Sequence, residues 1–134
     1  MRPLLPTLIT LLTLTSLSPA TTANTPATVL TQRLNCNNAQ TQREITQCAD
    51  LSYRNADKKL NQVYKQLLPK LSASRKQKLI NAQQAWLKFR DANCDFETSQ
   101  YAGGTIAGTI YAGCLETLTQ QRTQQLQEYL KSDL

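Results

Sequence analysis

Histidine is absent from the 134 residues, and that zero excludes more chemistry than any residue present. Imidazole is the usual general base near neutral pH and the commonest nitrogen ligand of metals, so Ser-His-Asp and Cys-His hydrolysis and His-ligated zinc are ruled out. Aromatic residues make up 6% of the chain, with a single Trp, and acidic residues number 9 against 15 Lys and Arg. Apolar types reach 40%, so a core must lean on Leu, Ala and a few large rings. All four glycines fall between positions 103 and 113. What this inventory leaves is a non-enzymatic binding protein with no cofactor. The length fits one domain, and about 110 residues would bury roughly 65% of the surface they expose when unfolded.

The first residues read as a delivery signal. Arg2 precedes an apolar run from Leu4 to Leu17, and Ser18, Pro19 and Ala20 supply small residues for a signal peptidase. A run of about 14 residues is shorter than the ~20 needed to span a bilayer. We therefore expect a cleaved signal peptide over 1–20, a periplasmic or secreted product that does not span a membrane, and a net charge lowered from +6 to +5 by the loss of Arg2. No Cys stands directly after the run, the first being Cys36, so lipoprotein-type lipid attachment is not expected. Residues 21–35 are rich in Thr, Asn, Ala and Pro without apolar periodicity, which suits a flexible leader. The helical domain is expected over 36–134.

Export gives the four cysteines their meaning, because oxidising compartments form disulfides. Cys36, Cys48, Cys94 and Cys114 leave 11, 45 and 19 residues between neighbours, none of which is a zinc-knuckle spacing. Pairing Cys36 with Cys48 and Cys94 with Cys114 closes the two short local loops and is favoured; the two crossed pairings remain open.

Thr41-Gln42-Arg43-Glu44 has the form of a capping box. From there Ile45, Cys48, Ala49, Ser52, Ala56, Leu60, Val63, Tyr64 and Leu67 recur at helical spacing until Pro69 stops the helix. Ser72 or Ser74 caps a second helix, with Leu79, Ala82, Trp86, Phe89 and Phe96 on its apolar face. No Gly or Pro interrupts residues 71–100, so this helix should be long and form an antiparallel hairpin with the first. Tyr101 to Gly113 reads as a helix-breaking, Gly-rich loop closed by a disulfide. Leu115, Leu118, Leu126, Tyr129 and Leu130 give a third helix. The expected fold is all-α: a three-helix bundle with one elaborated loop and two disulfides.

Trp86 and Phe89 share a face and are expected as core anchors. Arg90 and Asp91 diverge around the helix, so each needs its own partner; Asp57 and Arg54 are candidates, giving a structural charge network of Arg54, Asp57 and Arg90. Its alternative is a partly exposed recognition patch. Asp91, Asp95 and Glu97 are the one acidic cluster in a basic chain. Glycosidase chemistry needs two carboxyl groups facing across a cleft, whereas Asp91 and Asp95 lie one turn apart and point out together. They read as a solvated helix end or as an acidic binding patch. With Tyr101, Gly103 and Gly104 in the loop they form the candidate binding surface, and the rigid loop could also present Ile106 or Tyr111. The Gly run lacks the order and flanks of a phosphate cradle. The basic surplus is densest from Lys70 to Lys78 and reads as an ordinary solvated surface, or as a contact for anionic envelope glycan or lipid. Nucleic acid is not an expected partner.

Several of these motifs occur together in a known order. Thr41-x-x-Glu44-Ile45-x-x-Cys48-Ala49 is followed by Tyr53-x-x-Ala56-Asp57-x-x-Leu60-Asn61-x-x-Tyr64. Ala82-Gln83-x-Ala85-Trp86-x-x-Phe89-Arg90-Asp91-x-x-Cys94 comes next, then Gly103-Gly104, Cys114 and Thr119-x-x-Arg122. Over about 90 residues this resembles the LprI-type lysozyme-inhibitor domain, a small exported bacterial domain. The resemblance implies a helical, disulfide-stapled envelope protein, and for some members inhibition of lysozyme by binding. A lysozyme-type glycosidase is thus the implied partner. The basic net charge opposes long-range attraction to a basic lysozyme, so a local acidic or apolar feature would have to carry the contact. Envelope glycan or anionic lipid is the alternative partner class.

Overall fold

The computed structural model of the chain describes residues 34–132; the expected signal peptide and all but the last two residues of the expected leader lie outside them. Three helices make up the fold: α1 over Gln42–Leu67, α2 over Ala73–Ser99 and α3 over Ala107–Lys131. A turn of 3-10 helix, Cys36–Asn38, precedes α1, and another, Leu68–Lys70, joins α1 to α2. The all-α bundle with two disulfides is the fold expected from the sequence.

The local signals act where they stand. Thr41 Oγ1 accepts the Glu44 N–H at 3.2 Å, and Glu44 Oε2 accepts the N–H groups of Thr41 and Gln40 at 3.0 Å each, so three free donors at the start of α1 are satisfied. These backbone bonds hold the Glu44 carboxyl below its usual pKa of 4.5. A carboxylate held low when folded contributes stability above its unfolded pKa, and that contribution fades as pH falls through the folded value. Glu44→Gln should therefore melt earlier than the wild type at pH 7. The gap in melting temperature should close as thermal scans are run at successively lower pH through that range; a constant gap would mean the charge is not what the cap uses.

Pro69 ends α1 by entering the 3-10 turn at its start, and Ser72 caps α2 with its side chain accepting from Arg75 N–H at 3.5 Å. Leu60, Val63, Leu67, Leu79 and Leu126 form the buried core, with Tyr64, Leu68, Leu71, Trp86 and Leu130 packed against it. Backbones approach most closely between α1 and α3, and α2 lies on α3; among the described residues no Cα of α1 comes within 8 Å of a Cα of α2. Small residues allow the close pair. A Cβ on Gly108 would stand 2.9 Å from Thr46 Cγ2, and beside it Thr46 Oγ1 and Thr109 Oγ1 share a 2.8 Å hydrogen bond while Gln42 Nε2 donates to Thr109 Oγ1 at 2.8 Å.

Two expectations change. The link between α2 and α3 covers residues 100–106, not Tyr101 to Gly113, because α3 begins at Ala107 and takes Gly108 and Gly113 into helix. Gly108 is retained there by packing against α1, which outweighs its helix penalty of ~1 kcal/mol. Gly103, with φ +78°, is the glycine that the turn itself requires.

The second change is the inward face of α2. Phe89 is 56% exposed, Phe96 is 77% exposed and Ala82 is exposed, while Leu79, Gln83, Arg90 and Cys94 are buried. Trp86 packs on the core, but Phe89 is not a core anchor. The disulfide explains this: at about 100° per residue, Phe96 stands about 160° from Cys94 around the helix and Phe89 about 140°. Stapling Cys94 inward turns both rings out.

Candidate functional site

The loop end of the bundle is fixed by Cys94 joined to Cys114, with Cα atoms 5.6 Å apart, and Cys36 is joined to Cys48 at 5.5 Å. The local pairings hold and no cysteine is free. Cys94 is fully buried, so the bridge ties the last turns of α2 to α3 from inside. The short link beyond it is further tightened by Gly104 N–H donating to Tyr101 O at 2.9 Å. Tyr101, Gly103 and Gly104 all lie on this exposed link.

Arg90 is the centre of the charge network. Its side chain is 8% exposed, and its guanidinium carbon lies 5.2 Å from the Trp86 ring centre and 5.6 Å from that of Tyr53 on α1. Nε and Nη2 each meet Asp91 Oδ1 at 2.8 Å, and Nη1 is 3.7 Å from Asp57 Oδ1. Asp57 in turn accepts from Asn61 Nδ2 at 2.9 Å. Two details depart from the sequence reading. Adjacent Arg90 and Asp91 do meet, because the guanidinium folds back over its neighbour. Arg54 pairs one turn away with Asp50 at 2.7 Å and takes no part in the network. Arg90 thus bridges α1 and α2 where their backbones stay apart; its Nη1 makes no hydrogen bond but is buried among protein atoms, so the fork is closed to a ligand by packing.

The acidic cluster divides accordingly. Asp91 is drawn to Arg90, whereas Asp95 and Glu97 are exposed and have no ion pair among the described residues. Asn93 Nδ2 donates to Glu97 Oε1 at 2.8 Å, orienting that carboxylate. Nearby on α3, burial raises the Tyr111 hydroxyl above its usual pKa, with the negative charges of Asp95 and Asp91 adding to the shift. Burial likewise raises Tyr53. Both phenols therefore stay protonated donors at neutral pH. Among the described residues no group of three or more Cys, Asp or Glu converges to hold a metal ion.

Between Asp95 and Glu97 stands Phe96, and with Phe89, Ala82, Ala85 and Ala92 it makes an exposed apolar stripe at alternating three-and-four spacing. Reading Phe89 and Phe96 as core hid this feature. The stripe's spacing is plain in the sequence; what selects the outer stripe over the inner one is the inward position of Cys94.

The family model described as "Lysozyme inhibitor LprI" matches residues 35–126, a span that takes in both disulfides, the Arg90 network and the α2–α3 link. An uncharacterized protein of Rhizobium meliloti (strain 1021) is 31% identical over 120 residues, covering 80% of this chain and 86% of that protein. No solved structure matches the chain. With its matched span running from the first bridge to the last turns of α3, the chain belongs to the LprI lysozyme-inhibitor family.

Proposed function

We propose that this protein, exported to the periplasm or beyond, binds a lysozyme-type muramidase and blocks its glycan cleft without catalysing a reaction. The observation that carries the reading is Phe96, 77% exposed on a rigid helix between two carboxylates. An exposed aromatic ring on a helix can anchor an interface, since burying it on a partner recovers its apolar area at little entropic cost. Asp95 and Glu97 supply the local negative charge that a basic partner requires, against a chain whose formal net charge, +6 for the whole sequence and +5 without residues 1–20, is unfavourable at long range. The bridge at Cys94 holds this end in place before binding, which limits the ordering cost of association. Two disulfides suit an oxidising compartment.

The test is lysis of peptidoglycan by a muramidase in the presence of the purified protein. We expect slowing at micromolar inhibitor, and Phe96→Ala should raise the concentration for half-inhibition about tenfold or more with its melting temperature unchanged, because the ring is exposed. Asp95→Asn with Glu97→Gln should weaken inhibition of a basic enzyme less as salt rises. Lysis that proceeds at the uninhibited rate with the protein in micromolar excess would reject the proposal.

A further inference from the structure

At the opposite end of the bundle, beside the turn that joins α1 to α2, a groove of about 270 Å³ opens between α2 and α3. Its accessible apolar wall is Leu71, Ala82 and the Tyr129 ring, laid over the buried Leu67 and Leu79, and its charged members are Arg75, Lys78 and Arg122. Among the described residues no Asp or Glu lines it. Arg122 is held by neutral groups: Nε donates to Oε1 of buried Gln83 at 3.0 Å, and Nη1 donates to Gln125 Oε1 at 3.0 Å. Among the described residues no carboxylate lies within ion-pair distance of it. Partial burial lowers its pKa, opposed only in part by the neighbouring Tyr129 phenol, the mark of a cation that has lost water without a carboxylate beside it.

This arrangement differs from that of Arg90, which the fold neutralises twice. A guanidinium has five N–H donors in a planar fork; the two amides fix its plane and leave donors for another acceptor. Three cations against an apolar wall repel one another, and an anion with an attached hydrocarbon relieves that repulsion while covering Leu71, Ala82 and the Tyr129 ring. A simple inorganic anion would leave the wall wet, and a neutral lipid would leave the charges unpaired. The volume is slightly below the ~300–1,000 Å³ typical of small-molecule sites, which fits one short chain and not a two-chain lipid.

We propose that this groove binds a free single-chain anionic lipid, its carboxylate or phosphate head on Arg122 with Lys78 and Arg75, and its chain along Leu71, Ala82 and Tyr129. The site is independent of the muramidase surface, since Phe96 lies at the other end of α2.

Calorimetric titration of the whole protein with dodecanoate below its micelle concentration tests this. We expect saturable 1:1 binding, no binding of dodecyltrimethylammonium and none of butyrate. Arg122→Gln should weaken dodecanoate binding at least tenfold, and Ala82→Phe, which fills the groove edge without altering charge, should weaken it similarly; Lys88→Gln, on α2 outside the groove, should leave it unchanged. Melting curves for each variant separate loss of binding from loss of fold. Equal binding of the cationic and anionic amphiphiles, full affinity in Arg122→Gln, or association with phosphatidylglycerol vesicles without any monomer binding would each overturn the proposal. Muramidase inhibition by Arg122→Gln should match the wild type, so failure here leaves the inhibitor reading standing, and the reverse.

Discussion

Replacing Cys94 and Cys114 together by alanine should lower the unfolding free energy by about 3 kcal/mol, measured from urea denaturation, and should cost more than the same change at Cys36 and Cys48. Chain-entropy arithmetic alone scarcely separates the two. Sequence separations of 20 and 12 residues give about 3.3 and about 2.8 kcal/mol. What separates them is what each bridge holds. Cys94 is fully buried and joins two long helices whose contact completes the core, so losing the bond frees the last turns of α2 and leaves a small void beside α3. Cys36 is exposed and sits on a 3-10 turn with no buried residue. That turn can detach while α1, still capped by Thr41, stays folded, so much of the loss is absorbed by local opening. Equal losses for the two double variants would show that loop closure is all either bridge does. Inhibition of a muramidase should also fall in the Cys94 and Cys114 variant, since the end of α2 that carries Phe96 is no longer held.

The elements readable in advance were those with local causes. The Thr41 and Glu44 cap, the stop at Pro69 and the two short disulfide loops each depend on residues close in sequence, and each stands where the sequence puts it. What the sequence left undecided depends on which helix faces which. Helix α2 carries one apolar stripe through Leu79, Trp86 and Cys94 and a second through Ala85, Phe89, Ala92 and Phe96, and hydropathy favours the wrong one because phenylalanine outranks cysteine, glutamine and arginine. Burial of Gln83 and Arg90 depends on Arg122 donating to Gln83 and on Asp57, Asp91 and two rings offsetting the Arg90 charge, with Nη1 left without a hydrogen bond; apart from adjacent Asp91, those partners lie on other turns or other helices. Gly108 misled for the same reason: its small size serves a neighbour 62 residues earlier, Thr46, and not a local turn. For the site, the acidic residues were visible as composition, but Phe96 as an anchor and Arg122 as an unneutralised cation required knowledge of what surrounds them.

Arg90→Ala should destabilise the bundle by about 3 kcal/mol, the largest expected effect of any charged residue here, and the order of three replacements tells why. The ion pairs are the lesser part. Asp57 and Asp91 side chains are 38% and 52% exposed, so each pair contributes ~1 kcal/mol or less and both carboxylates can return to water. The two rings add ~0.5–2 kcal/mol each through the guanidinium face. The stem matters most: three buried methylenes at ~0.8 kcal/mol each approach ~2.4 kcal/mol, and they fill the space between the Tyr53 ring of α1 and the Trp86 ring of α2. Methionine keeps length and apolar bulk, avoids the cost of burying a charge, and should lose about 1 kcal/mol. Lysine keeps the charge but lacks the planar fork and stacks poorly on Trp86, so it should lose about 2 kcal/mol. The expected order of stability by urea denaturation is therefore arginine, methionine, lysine, alanine. If lysine instead outranks methionine, the charge and not the packing holds α1 to α2, and the network joining Asp57, Arg90 and Asp91 is an electrostatic tie whose strength should then fall with salt.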